Sequence, residues 1–363
     1  MVADDIHLVR STERVDEIEA LTDRVGGRVG LAGVLDDLNR RARRTRIPGP
    51  AATWGFTWDT EDSRSRRWWP QGITTSADQG DPGRVDGREI VVTSAYSRTV
   101  DDLTKGSRLS FVDVTERGTL RYRHVLLVEA YVRDDGRVDV RPVKVHAGGI
   151  VWHGGYLHVA GTARGLSTFR LDDIIRVPAI GDRSRLGLQD DGDDGSLDSF
   201  GYRYLLPVRF TYDARAADGH EQLRYSFLSL DRGGSPPSLV AGEYGRGEMT
   251  TRLVRYELDS ATSLLRAGGD GTAYPLGLDP GGVPGMQGAA VVGGTYYVTT
   301  SNGRLGRGSL WVGRPGALRR FDRVLPAGCE DLAYAPAADQ LWCLTEYPWR
   351  RYVFAMDRAR FAG

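Results

Sequence analysis

From Trp54 onward, apolar residues come in short runs, many of them alternating with polar ones and punctuated by Gly, Pro and Asp. Alternation of that length predicts strands, and the punctuation predicts tight turns between them. The runs recur in one order: an apolar run with a polar or glycine start, a tight turn, a run ending in small polar residues, then an alternating run. The clearest copy is Gln287–Val292, Gly293-Gly294, Thr295–Ser301 and Ser309–Val312. Copies opening at Gln71, Gly148, Tyr225, Gln287 and Glu330 lie 43 to 77 residues apart. Repeating a four-stranded antiparallel unit around an axis removes exposed sheet edges, so the pattern predicts an all-β fold, a five-bladed β-propeller over residues 50–363. Six blades, with Tyr202 to Tyr212 opening its own, is the alternative. The last copy stops after three strands, and Trp54-Gly55-Phe56-Thr57-Trp58 has the length and aromatic content to close the ring from the other end.

Residues 1–48 read differently, as an N-terminal helical extension. Val15, Ile18, Leu21 and Val25 recur at helical spacing and Gly26-Gly27 follows, which predicts a short amphipathic helix with a glycine stop. A second helix is expected from Val29 to about Arg44, its arginine-rich end a solvated terminus, before Pro48-Gly49-Pro50 breaks it.

In a propeller unit the innermost strand and its neighbour are antiparallel. The start of one and the end of the next therefore meet at one mouth of the central channel. Gln71, His146, Tyr225, Gln287 and Glu330 fall at the starts; Tyr96, Arg164, Glu243, Tyr244, Asn302, Glu346 and Tyr347 fall at the ends. A concave mouth with converging polar groups is the default binding site. Glu330, Glu346 and His146 are the candidate acid/base residues. Gln71, Gln287, Asp331, Glu243, Tyr96, Arg164 and Asn302 are the candidate substrate-binding residues. Carboxylates brought together there share a proton or hold a divalent cation such as Ca2+ with the glutamines; the plainer reading has them satisfy backbone groups and rim arginines. Alternation places Lys144 beside His146, which would keep the imidazole neutral. His153 and His158 flank a turn and are expected on the surface of the opposite face, and His220 sits in a polar loop able to overhang the mouth.

Composition narrows the chemistry. Forty-eight basic residues balance forty-eight acidic ones, so no net charge draws the chain to nucleic acid or a membrane. No apolar run is long enough to span a bilayer, and the start Met1-Val2-Ala3-Asp4-Asp5 lacks the order of a secretory signal, from which a cytoplasmic location is expected. Lys105 and Lys144 are the only lysines, and Cys329 and Cys343 the only cysteines, the latter read as small buried hydrophobes. The acidic stretch Asp190–Asp198 lacks the glutamate a calcium loop needs at its twelfth place, where Gly201 or Tyr202 stands, and reads as a solvated turn. Phosphate-binding and dinucleotide fingerprints, a nucleophile elbow and a zinc-helix motif are all missing from the sequence.

At Trp69–Thr75, His146–Trp152, Gly201–Tyr204 and Glu330–Leu332, the chain resembles a group of uncharacterised, mostly secreted actinobacterial β-propeller proteins. The resemblance spans about residues 54–357; it implies the propeller and no particular activity. The start of this chain differs from that group, which points to intracellular small-molecule metabolism. The resulting expectation is a small-molecule-processing enzyme using acid/base chemistry at the axial mouth, such as a hydrolase, lyase or cyclase, with no cofactor required beyond a divalent metal. The alternative is a non-catalytic carbohydrate- or protein-binding propeller.

Overall fold

The computed structural model describes residues 5–80, 82–178, 181–189 and 196–361. About half of the chain is strand, with four short helices. The repeated runs form antiparallel units, each starting with its innermost strand. In the first unit Trp68–Thr75, Ile90–Ser97, Ser107–Asp113 and Arg121–Val132 pair in sequence order. Ile150–His153, Tyr156–Gly161, Gly165–Arg170 and the long strand Tyr204–Ala216 form the second. The third comprises Phe227–Asp231, Ser238–Gly242, Leu253–Glu257 and Gly277–Asp279, and the fourth Met286–Val292, Thr295–Asn302, Gly306–Arg314 and Ala317–Phe321. The fifth joins Cys329–Ala335, Gln340–Thr345 and Tyr352–Asp357 to Ala52–Thr57 from the other end of the chain.

The five innermost strands touch one another in order, and that of the fifth unit returns to that of the first. The chain is therefore an all-β propeller. Tyr204–Ala216, the strand on which a sixth blade would open, instead completes the second unit, and its first residues pair in parallel with Leu126–Val128 of the first.

Packing follows from the strand patterns. Inner strands such as Phe227–Asp231 are buried throughout, because neighbouring units cover both of their faces. Trp54, Phe56, Trp58 and Tyr122 form a chain of edge-on ring contacts, at 5.9, 5.8 and 5.0 Å, that seals the closing strand against the first unit. His158 is completely buried within the second unit, not on the surface, since its strand has covered faces on both sides.

The N-terminal segment differs from its expectation. The helix Val15–Val25 is present and ends at left-handed Gly26, whose N–H bonds Thr22 O at 3.1 Å. The second helix covers only Gly30–Leu35, and Arg40–Arg41 and Arg43–Arg44 are short strands pairing with Arg121–Tyr122 and Phe56–Thr57. Arginine side chains favour these edges because they extend to solvent while the backbone continues a sheet. Ile6–Arg10 adds a strand along Tyr212–Ala216.

Candidate active site

Irregularities in three inner strands create the site. Ladder pairing skips Gln71 and Gly72 between Pro70 and Ile73, Gln287 between Met286 and Gly288, and Glu330 and Asp331 between Cys329 and Leu332. Bulges of this kind re-aim the side chains they carry. Glycine beside the bulge allows adjacent inner strands to approach closely: a Cβ on Gly288 would lie 2.5 Å from the Cα of Asp331. The sequence pairs Gln71-Gly72 and Gln287-Gly288 are thus one structural device used twice.

The bulges bring four of the expected residues together. Gln287 Nε2 donates to Glu330 Oε1 at 3.2 Å, and Gln71 Nε2 donates to Glu346 Oε2 at 3.2 Å. The two glutamates lie within hydrogen-bonding reach of each other. Burial, then the neighbouring charges of Glu346 and Asp331, push the Glu330 carboxyl well above the usual range. Glu346 is raised too, chiefly by burial, but donors from Tyr347 and Gln71 and the nearby charges of Arg98 and Arg351 favour its anion. Glu330 is thus the more strongly raised of the two and keeps its proton to the higher pH.

A half-buried rim surrounds the pair. Tyr347 faces Glu346, and burial together with that charge pushes its hydroxyl up to about 12. Tyr244 is raised by burial and feels Arg246 and both glutamates. Trp69 stands edge-on to Tyr347 at 5.8 Å, and the Arg98 guanidinium covers its ring at 3.5 Å. His146 lies against Tyr96 with ring centres 4.6 Å apart. Burial, then Arg98, lowers its pKa, so the imidazole is neutral as expected, but the cation responsible is Arg98 and not Lys144.

Other expected residues are engaged elsewhere. Glu243 is fully buried and accepts a bidentate pair from Arg252 at 2.9 and 2.8 Å, along with bonds from Thr250 Oγ1 and the backbone N–H groups of Arg224 and Arg252. It is a closed ion pair with no lone pair left for a substrate. Asp331 is completely buried below the pair and accepts from Ile73 N at 3.1 Å, tying the fifth inner strand to the first. Arg164 lines a separate 450 Å³ cavity with Arg14, Glu129 and Arg141. The Asn302 amide donates to Arg307 O at 2.7 Å inside its own hairpin. His220 lies 3.5 Å from Asp5, beside the N-terminal strand and not over the mouth. Both cysteines are buried thiols. Most of the acidic stretch, residues 190–195, falls outside the described residues. Among the described residues no group of three or more His, Cys, Asp or Glu is placed to hold a metal.

Sequence reasoning missed Arg98, which lies in a connection, and an entire buried network. Asp62 accepts from Arg108 at 2.7 Å, Tyr122 OH at 2.6 Å and His124 Nε2 at 2.9 Å, and Arg40 lies 3.4 Å away. His124 Nδ1 is 2.8 Å from Ser110 Oγ, but Ser110 is buried and lines no cavity beside Asp62. This serine, histidine and aspartate therefore form a structural clasp between the closing loop and the first unit.

No family model matches this chain, and no curated protein matches it. Among solved structures it is similar to the Swd1 β-propeller domain of Myceliophteria thermophila Cps50, at 9% identity and TM-score 0.38, over 81% of this chain and 98% of that one. A Xanthomonas campestris gluconolactonase is similar at 12% identity and TM-score 0.34, over 92% and 87%. A GH43 β-xylosidase/α-arabinofuranosidase from a compost metagenome is similar at 8% identity and TM-score 0.35, over 87% and 94%. Each is a likeness of overall fold and transfers no chemistry.

Proposed function

We propose that the chain is a hydrolase of small organic molecules, working by acid/base catalysis at the axial mouth. The observation that carries the reading is the Glu330–Glu346 pair: two carboxyls within hydrogen-bonding reach, held by Gln71 and Gln287 rather than by a cation. A structural carboxylate is ordinarily neutralised, as Glu243 is by Arg252; in this pair burial instead raises both carboxyls. Glu346 would take a proton from water as the water oxygen bonds a carbonyl carbon, while Glu330 gives its proton to the developing oxyanion; on collapse the carbon–oxygen bond to the leaving alcohol breaks, Glu346 passes its proton to that oxygen, and Glu330 regains one from the intermediate's hydroxyl as the carbonyl reforms. Tyr244, Tyr347, Trp69 and Tyr96 supply flat surfaces for an organic ring, and neutral His146 a further hydrogen-bonding group.

Hydrolysis of a panel of aryl esters, lactones and aryl glycosides tests the reading, with Glu330→Gln and Glu346→Gln beside the parent. Ester or lactone turnover that falls at least a hundredfold in both variants is expected. Parent-level rates in both would refute the assignment. Binding without turnover of any class would leave the mouth a recognition site. Parallel assays with a chelator and with added Ca2+ decide whether a metal takes part.

A further inference from the structure

A second concavity, of 340 Å³, opens on the flank of the first unit between the closing loop, the connection carrying Lys105 and the segment around Phe200. Its lining holds six cations, Arg40, Lys105, Arg108, Arg123, Arg183 and Arg203, against two carboxylates, Glu61 and Asp62. The carboxylates are already committed: Glu61 to Arg40 and Asp62 to Arg108 and Arg40. Among the described residues no carboxylate lies within ion-pair distance of Lys105, Arg183 or Arg203. The Lys105 ammonium bonds only the backbone oxygens of Arg183 and Phe200, at 2.6 and 3.5 Å. Arg203 donates to Pro178 O. Arg108 is nine-tenths buried, and its Nε has no hydrogen-bond partner.

Clustered like charges in a concave wall work against folding unless a counter-charge repays them. The strain is visible at two members. Burial, then Arg67 and Arg183, disfavours the charged form of Lys105 despite the carboxylate of Asp182, and Arg123 is lowered by burial and by Arg203 and Arg176 despite that of Asp37. A surface patch of arginines disperses into water; these line one half-open concavity. We propose that this concavity binds the phosphate group of a small phosphate monoester, with Lys105, Arg183 and Arg203 as its charge partners. Guanidinium forks and an ammonium suit a tetrahedral dianion, and the cavity is at the small end of small-molecule sites, with room for an organic group beside the phosphate. The site stands apart from the glutamate pair and does not depend on it.

Calorimetric titration with inorganic phosphate, phenyl phosphate, sulfate and chloride at constant ionic strength tests the proposal. Saturable one-to-one binding of both phosphates is expected, with chloride silent and sulfate weaker. The exposed-side pair Lys105→Gln/Arg183→Gln should weaken phosphate binding at least tenfold with an unchanged melting temperature, while Glu330→Gln should leave it as in the parent. Equal responses to phosphate and chloride, or undiminished affinity in the double variant, would overturn the assignment. Should the double variant melt early, Arg203→Gln alone must show the same loss.

Discussion

His158 offers a quantitative test of how the second unit is packed. The side chain is fully buried; Nδ1 lies 3.0 Å from Thr168 Oγ1 and Nε2 meets no partner. Burial, reinforced by the charge of His153, lowers its pKa to about 3. In the unfolded chain an ordinary histidine titrates near pH 6.5. Between these two values the unfolded state binds more protons than the native one, so this group's contribution is complete above about pH 6.5 and is lost toward acid. The slope is about 1.4 kcal/mol per pH unit, and the loss from pH 7 to pH 5 is about 2 kcal/mol. His158→Phe keeps a ring beside Tyr212 and removes both the titration and the unsatisfied nitrogen, at the expense of the Thr168 contact. Urea unfolding of parent and variant at pH 7 and pH 5 should show the difference between them moving by about 2 kcal/mol in the variant's favour at the lower pH. A difference that does not change with pH would refute the assignment of a neutral, solvent-excluded imidazole.

Four further outcomes follow from the charged groups. Glu243→Gln should cost about 3–5 kcal/mol in denaturant unfolding, because it strands the buried Arg252 guanidinium; a loss of activity without that destabilisation would return Glu243 to the substrate-binding set. Asp62 is buried, yet His124 and Arg108 hold its carboxyl well below the usual range. Its stabilisation is thus present above about pH 4 and fades only in strong acid, and Asp62→Asn should lower stability at pH 7 by a similar about 3–5 kcal/mol while flattening the acid limb of the melting curve. Glu330 has the opposite sign: its native proton is given up on unfolding, so stability falls as pH rises from about 4 toward its elevated pKa, and Glu330→Gln should melt higher than the parent at pH 8. The rate–pH profile of the parent should be bell-shaped, rising as Glu346 ionises and falling as Glu330 does, and a flat profile would count against the pair as acid and base.

The architecture was legible where local chemistry dictates it. Gly154-Gly155 and Gly293-Gly294 do close two-residue hairpins, His153 opposite Tyr156 and Val292 opposite Thr295. Trp54–Trp58 was recognisable as the closing strand because an orphaned aromatic run needs a sheet to bury it. Gln71, Gln287, Glu330 and Glu346 could be grouped because equivalent places in repeated units must share one end of the axis. What escaped was set by long-range partners. Nothing near Asp62 in sequence announces Arg108 or His124, which lie 46 and 62 residues away. Glu243 looked like its fellow rim carboxylates, and only the position of Arg252 across the sheet distinguishes it. The second helix was overdrawn because arginine has good helix propensity and its periodicity fails only after Leu35, where sheet edges capture the backbone.

The first 57 residues touch every unit. Ile6–Arg10 runs along the second unit and beside Thr272-Ala273, the helix packs on the first, Ile47 and Ala51 enter the core of the fourth, and Ala52–Thr57 completes the fifth. Thr53 and Ala355, which meet at the seam, are 302 residues apart. A ribosome therefore releases the closing strand 302 residues before the strand that it joins. Until that partner emerges, the aromatic run Trp54–Trp58 has no sheet to join, which makes it the segment a holding chaperone would be expected to cover.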